Sequence, residues 1–143
     1  MNPITSVLSG ISSVVYPARD LEQGIATWTA MLGHGPVFQS DDYAGFDGGG
    51  TDIGLTKLPW VDHPLVFWKV GDIDAAHQAL VAAGATTMVQ VADGSLAELG
   101  TAEPVDGVDP VTGVVDVPGG LLTVVKAADG SLIGLSQEVP GEW

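Results

Sequence analysis

The sequence predicts an α+β fold in which two pseudo-repeated βαβββ modules form a curved mixed sheet around a concave pocket. An internal repeat is the first observation behind this prediction, because residues 14–21 match residues 66–73 at an offset of 52. Residues 50–55 match residues 130–135 at a larger offset of 80. We therefore expect a single domain over residues 1–143, built from two related halves, with additional residues in the second half.

The first module, about residues 11–58, begins with a strand and a helix. Asp20 ends the strand and can cap the helix, because its carboxylate can accept hydrogen bonds from free N–H groups of the first turn. Apolar residues then recur at helical spacing as far as Gly33, a residue type that commonly ends helices. Three further strands are predicted at residues 37–39, 43–47 and 52–58.

The second module, about residues 65–137, repeats this order after a linker at residues 59–64. Asp72 can cap its helix and Gly84 can end it. Residues 93–110 are rich in glycine, proline and acidic residues and lack periodicity, so we expect a long acidic loop there. Strands are predicted at residues 86–92, 111–117, 121–127 and 132–137.

Composition excludes several functional classes. The chain has four lysine and arginine residues against 18 acidic residues, and its net charge of -14 would repel nucleic acids and anionic membranes. The absence of cysteine excludes disulfides and thiolate sites. No apolar run is long enough to span a membrane, and residues 1–10 have no secretory signal, so we expect a cytoplasmic protein.

Short motifs follow one another in a characteristic order along both halves. They are ARDLE at residues 18–22, TW at 27–28, MLG at 31–33, VGDIDAA at 70–76, AAGA at 82–85, DVPGG at 116–120 and ADGS at 128–131. In this order the chain resembles the vicinal oxygen chelate superfamily, which includes glyoxalases, bleomycin resistance proteins and extradiol dioxygenases. The resemblance covers about residues 11–137. It implies the glyoxalase-like fold, a pocket for a small molecule, and homodimers that pair through module edges.

The resemblance also implies where a metal site would lie. Metal-dependent members place one ligand on the first strand and one on the last strand of each module, usually histidine, glutamine or glutamate. The matching positions here are Ser13, Gly54, Leu65 and Gly134. Glycine and leucine have no donor side chain, and a lone serine hydroxyl is a poor substitute for imidazole or carboxylate. If the alignment were shifted by two residues, Asp52 and His63 would be the only residues at the ligand positions that could bind a metal ion, which is too few for a site. We therefore expect no metal ion and no cofactor.

The three histidines do not supply the missing ligands. One follows a helix stop, one lies in the linker and one lies in the middle of a helix, and surface exposure is the ordinary state at such places. We therefore interpret His34, His63 and His77 as surface residues.

Alternation along the strands predicts which side chains face the pocket. Tyr16, Leu55, Trp68 and Leu135, with Val14, Val66, Ile53 and Ile133, should pack on the helices, and Trp28 should lie in the core. Two glycines, Gly54 and Gly134, have the opposite parity and so face the pocket. Each either makes room for a ligand, relieves sheet curvature or admits a bulky neighbour such as Trp28 or Phe67. The predicted ligand-binding residues are Ser13, Val15, Phe38, Tyr43, Phe46, Gly54, Thr56, Trp60, Leu65, Phe67, Gly134 and Ser136.

The aromatic residues among them indicate the kind of ligand. Phe38, Tyr43, Phe46 and Trp60 are predicted at the pocket rim, where they would suit a planar or hydrophobic ligand or contact a second subunit. The acidic loop would favour a cationic ligand if it closed over the pocket, whereas most charge runs are only solvated surface.

Three functions follow from these features. The first is a metal-independent binding protein that sequesters a planar or cationic organic compound, as the metal-free drug-sequestering members of the superfamily do. The second is a metal-independent lyase, isomerase or cyclase with an Asp or Tyr general acid/base, for which Tyr43 and Asp47 are the candidates. The third is an interaction module whose cavity is vestigial.

Overall fold

The computed structural model describes residues 8–117 and 120–138. The chain divides into two compact units. The first unit is Ile11–Val66, and the second comprises the described parts of Met1–Gly10 and Phe67–Trp143. Neither helix of the described residues has the length and apolar character that crossing a membrane requires.

The first unit contains one helix and four strands of one sheet, in the spatial order β2-β3-β4-β1. The two hairpins are antiparallel, and β4 runs parallel to β1. The elements are β1 (Ile11–Pro17), α1 (Leu21–Leu32), β2 (Phe38–Gln39), β3 (Tyr43–Asp47) and β4 (Asp52–Thr56). The predicted βαβββ order is therefore confirmed for this half.

The ends of α1 are set by the residues that the sequence indicates. The Asp20 carboxylate accepts a hydrogen bond from the Gln23 N–H at 3.0 Å, which satisfies one free donor of the first turn. Gly33 ends the helix with a φ of 85°, a conformation that glycine adopts without steric cost.

The core of the first unit lies between α1 and one face of its strands. Leu21, Ala44, Phe46 and Leu55 are its buried members. Tyr16, Trp28 and Ile53 pack against them, and the rings of Tyr16 and Trp28 lie 4.9 Å apart. The predicted packing of Tyr16, Ile53 and Leu55 on the helix is confirmed, as is the core position of Trp28.

The second unit contains one helix and strands in the order β5-β10-β9-β6-β7, with β8 paired to β9. Here β5 runs parallel to β10, and the other pairs are antiparallel. The elements are β5 (Leu65–Lys69), α2 (Ile73–Ala82), β6 (Thr86–Gln90), β7 (Leu96–Glu98), β8 (Val115–Val117), β9 (Gly120–Lys126) and β10 (Leu132–Glu138). Residues 65 and 66 of β5 belong to the first unit.

The start of α2 is fixed more firmly than that of α1. The Asp72 carboxylate accepts from the N–H groups of both Asp74 and Ala75, each at 3.1 Å. In addition, Ile73 N–H donates to Gln137 Oε1 of β10 at 2.7 Å. The helix ends at Ala82, and Gly84 follows with a φ of 105°.

The core of the second unit confirms the predicted strand parity there. Val70, Ile73, Ala76 and Leu135 are buried together. Trp68 and Ile133 pack against this cluster, as predicted for residues that face the helix.

Two predictions for the region after β6 are wrong. The acidic loop is not wholly irregular, because β7 lies inside residues 93–110 and pairs with β6 through Val89 and Ala97. The strand predicted at residues 111–117 begins only at Val115. The physical reason is that the Asp109 carboxylate accepts from the N–H groups of residues 111 and 112, at 2.8 and 3.2 Å, which folds this stretch into a turn.

Candidate functional site

The strands of the first unit carry a second face, opposite the one that packs on α1. Strand register fixes its membership: Gly54 lies between Val15 of β1 and Gly45 of β3, and Tyr43 lies opposite Thr56. Since side chains alternate between faces, partners in register share a face. We call this set the first-unit face: Ser13, Val15, Phe38, Tyr43, Gly45, Asp47, Asp52, Gly54 and Thr56.

Tyr43 lies across the two glycines of this face. A Cβ atom added to Gly45 would lie 3.6 Å from Tyr43 Cε1, and one added to Gly54 would lie 2.8 Å from Tyr43 Cζ. The phenol hydroxyl lies closer still to the Gly54 position. The absence of a side chain at Gly54 is therefore what allows the Tyr43 ring to reach over β4 at this position.

The chemistry of this tyrosine is that of a hydrogen-bond donor. Burial, and to a lesser extent the negative charge of Asp52, raise the pKa of Tyr43 above its usual value of 10.0, so the phenol stays protonated at neutral pH. Within the described residues its hydroxyl makes no hydrogen bond. Tyr43 therefore presents an O–H group that is free to donate.

An exposed aromatic ring lies beside it. The Phe38 and Tyr43 ring centroids are 6.3 Å apart with an interplanar angle of 48°, a tilted aromatic pair. Phe38 is 58% exposed although it is a large apolar residue. Both residues belong to the predicted ligand-binding set, and the structure places their rings next to each other.

Two other polar residues of the face have structural partners. Thr56 is buried, and its Oγ1 accepts from the Leu58 N–H at 3.1 Å. The Asp47 carboxylate accepts from the Gly49 N–H at 2.9 Å and so supports the turn between β3 and β4. Of the two acid/base candidates, Tyr43 alone is without a hydrogen-bonding partner in the described part of the chain.

Phe46 does not belong to this face, and its predicted place at the pocket rim is wrong. It is 0% exposed and lies in the core cluster with Leu21 and Leu55. The reason is register, because Phe46 pairs with Ile53, which faces the helix. Trp60 follows β4 outside the strands, and its Nε1–H is the one buried side-chain polar atom without a partner among the described residues.

The second unit has an equivalent face with a different filling. We call this set, which the register places together, the second-unit face: Phe67, Met88, Leu122, Val124, Gly134 and Ser136. A Cβ atom added to Gly134 would lie 2.7 Å from Phe67 Cγ, so the Phe67 ring fills the glycine position. Of the three alternatives that the sequence left open for Gly134, the structure shows the one in which the glycine admits a bulky neighbour. Leu65, on the same strand as Phe67, is buried.

The residues at the superfamily's metal positions do not fit a metal ion. Aromatic rings occupy the space above Gly54 and Gly134, and Leu65 has no donor atom. Ser13 has only Asp52 as its register partner on β4. Throughout residues 8–117 and 120–138, no group of three His, Asp or Glu side chains could hold a metal ion.

The histidines divide into two kinds. His34 is exposed, and His63 is exposed and contacts the Asp62 carboxylate at 2.6 Å, as expected for surface residues. His77 is different, because it is half-buried on α2 and its Nε2 contacts the hydroxyl of buried Thr87. Its interpretation as a surface histidine is therefore wrong.

A separate cleft of about 430 Å³ lies on the second unit. It is lined by Gly107, Val108, Asp109, Val114, Asp116 and Leu121, so it shares no residue with the predicted ligand-binding set. Sequence analysis missed this cleft. The predicted ligand-binding set also leaves out Gly45 and Asp52, although alternation along β3 and β4 gives them the parity of Tyr43 and Gly54.

Comparison with known proteins identifies the family. The family model described as the Glyoxalase/Bleomycin resistance protein/Dioxygenase superfamily matches residues 10–110. The chain belongs to this superfamily. The predicted resemblance is confirmed, and so is the α+β glyoxalase-like fold. A search of curated protein sequences finds no match for this superfamily member.

Solved structures share its fold at low sequence identity. Methylmalonyl-CoA epimerase from Mycobacterium tuberculosis is similar with a TM-score of 0.64 and 19% identity, over 95% of this chain and 92% of that chain. The Mn(II)-bound glyoxalase from Novosphingobium aromaticivorans has a TM-score of 0.60 and 20% identity, and the match covers 94% of this chain but only 40% of the glyoxalase. A superfamily member from Vibrio splendidus 12B01 has a TM-score of 0.54 and 14% identity, over 89% and 97% of the two chains.

Proposed function

We propose that this superfamily member binds and sequesters a small planar organic molecule, neutral or cationic, without a metal ion. The observation that carries the proposal is the aromatic pair of Phe38 and Tyr43 on the first-unit face. Asp47 and Asp52 lie on the same face, opposite each other in register. Aromatic rings beside carboxylates favour planar and cationic ligands through stacking and cation–π attraction.

Metal independence is part of the proposal and rests on the donor set. The equivalent strand positions carry glycine, and an aromatic ring lies over each glycine. A metal ion would need several oxygen or nitrogen ligands, which these positions do not offer. Elemental analysis of the purified protein tests this point, and one equivalent of bound Mn, Fe, Ni or Zn would contradict it.

Fluorescence titration with N-methylacridinium, a planar cation, tests binding directly. We expect Phe38→Ala to raise its Kd by about tenfold, which corresponds to roughly 1.4 kcal/mol of lost stacking and cation–π attraction. Val37→Ala is the matched control, because Val37 is the neighbouring residue, is 73% exposed and lies outside β2. Equal losses in both variants, or no binding by the unmodified protein of either N-methylacridinium or the neutral planar compound acridone, would overturn the proposal.

One observation favours a second candidate, a metal-independent lyase, isomerase or cyclase. Tyr43 is a protonated phenol without a hydrogen-bonding partner among the described residues, which is the state that a general acid requires. Turnover that is lost in Tyr43→Phe while ligand affinity is kept would favour this candidate over sequestration. The cytoplasmic location and the homodimeric state stay predictions from the sequence, and sedimentation velocity tests the latter.

A further inference from the structure

We infer that the Tyr43 hydroxyl selects the ligand by donating a hydrogen bond to an uncharged acceptor oxygen, such as the carbonyl of a planar ketone or amide. This inference deepens the proposed function and rests on it. The hydrogen bond would add a polar contact to a site that otherwise recognises only the shape and charge of its ligand.

The position of the hydroxyl is fixed by the strands beneath it. Tyr43 reaches from β3 over Gly45 to Gly54 of β4, and both glycines leave the ring in contact with the sheet. Gly54 is itself buried, so the ring closes the space above it. A ring held in this way loses little conformational freedom on binding, which favours specific recognition.

The hydroxyl has no competing acceptor within the described residues. Thr56, its register partner on β4, directs its oxygen to the Leu58 N–H, and Asp47 directs its carboxylate to the Gly49 N–H. Because no protein group among the described residues pairs with this hydroxyl, its O–H is available to a ligand that supplies an acceptor.

Charge decides which acceptor suits the site. Asp52 interacts electrostatically with Tyr43, and Asp47 lies opposite Asp52 on the same face. A carboxylate or phosphate acceptor would be repelled by these charges. A carbonyl oxygen accepts the same hydrogen bond without that repulsion, so the favoured ligand is a planar carbonyl compound without negative charge.

Only the first unit can make this contact through a tyrosine. The chain has two tyrosines, and the ring of Tyr16 packs against that of Trp28 in a tilted pair on the helix side. On the second-unit face, Leu122 takes the place that Tyr43 has in the first, because it pairs with Ser136 as Tyr43 pairs with Thr56.

Two planar probes of similar shape test the inference. Acridone is neutral and has a carbonyl acceptor, whereas N-methylacridinium is cationic and has none. We expect Tyr43→Phe, which keeps the ring, to raise the Kd of acridone about tenfold and to change the Kd of N-methylacridinium by less than twofold. A second variant, Gly54→Ala, displaces the ring and should weaken both probes.

Each outcome of these titrations has a definite meaning. Binding of N-methylacridinium with no effect of Tyr43→Phe on acridone, or with no acridone binding, would overturn this inference and leave the proposed function standing. Equal losses for both probes in Tyr43→Phe would also overturn it, because the effect would then come from the ring. If neither probe binds the unmodified protein, the proposed function fails together with it.

Discussion

The two units solve the same packing problem in opposite ways. Each has a strand glycine at the equivalent position, Gly54 in the first and Gly134 in the second, and each glycine is covered by one aromatic ring. In the first unit the ring is Tyr43, which comes from the hairpin partner strand β3. In the second unit it is Phe67, which comes from the parallel strand β5.

In each unit, the position that carries the ring in the other unit is aliphatic. Val15 has the register position beside Gly54 that Phe67 has beside Gly134, and Leu122 has the register position in the second unit that Tyr43 has in the first. The comparison teaches that the volume above the glycine is what both units preserve, while the strand that supplies the ring differs. The hydroxyl is present in one unit only, so the two faces have the same shape requirement and different chemistry.

The largest expected effect comes from adding a methyl group to each glycine. In Gly134→Ala the new Cβ meets Phe67 near the root of a ring that is only 8% exposed, so the ring cannot move away without disturbing the core. We expect a loss of about 2–3 kcal/mol in the free energy of unfolding, measured by urea denaturation. In Gly54→Ala the Cβ meets the outer end of a half-buried ring, so the loss should be about 1 kcal/mol.

The order of these two losses decides whether the comparison holds. The double variant Gly134→Ala with Phe67→Val removes the ring and should recover part of the stability that Gly134→Ala loses. Equal losses at both glycines, or no recovery in the double variant, would show that the rings do not set the requirement for glycine.

The next effect concerns how the two helices begin. Gln137 accepts a hydrogen bond from the buried Ile73 at the start of α2, whereas the equivalent position of the first unit is Lys57, an exposed residue that cannot accept. Gln137→Leu leaves the Ile73 N–H without this partner and should cost about 1–2 kcal/mol of unfolding free energy. Lys57→Leu is the matched change and should cost less than about 0.5 kcal/mol. Similar costs in thermal or urea unfolding would remove this difference between the units.

The smallest effect is a pH dependence confined to the first unit. Because burial raises the pKa of Tyr43, the unfolded chain loses this proton first as the pH rises above the usual 10.0. The free energy of unfolding should therefore fall with rising pH until the folded phenol also ionises. Ultraviolet titration of phenolate should show a late component that disappears in Tyr43→Phe. If that component persists, it belongs to Tyr16 and the assignment is wrong.

Much of the fold could be predicted because the repeat, the caps and the strand parity are local signals. Asp20, Asp72 and the alternation in β1, β4, β5 and β10 act over a few residues, and each is confirmed. Phe46 was misplaced because it was grouped with Tyr43, although it lies three residues further along β3 and alternation puts the two side chains on opposite faces. Strand β7 was missed because three residues are too few to show a period.

The candidate site was less accessible to sequence reasoning for a related reason. Parity places Gly54 and Gly134 on the correct face, and one of the alternatives considered for them names Phe67. It does not say that Tyr43 crosses two glycines, since that contact depends on the direction in which a side chain leans along its strand. The free hydroxyl follows from this lean together with the hydrogen bonds made by its neighbours.

The single ring above each glycine also restricts the routes by which this sequence can change. If Val15 were replaced by phenylalanine, the new ring would lie as Phe67 does and would enter the volume that Tyr43 already occupies. To exchange one arrangement for the other therefore takes two substitutions, and the first would be destabilising until the second followed. The reverse exchange in the second unit would pass through an intermediate with two rings or with none. Substitutions at these paired positions should therefore be strongly epistatic, and each unit is held to its own arrangement even though the other arrangement is present elsewhere in the same chain.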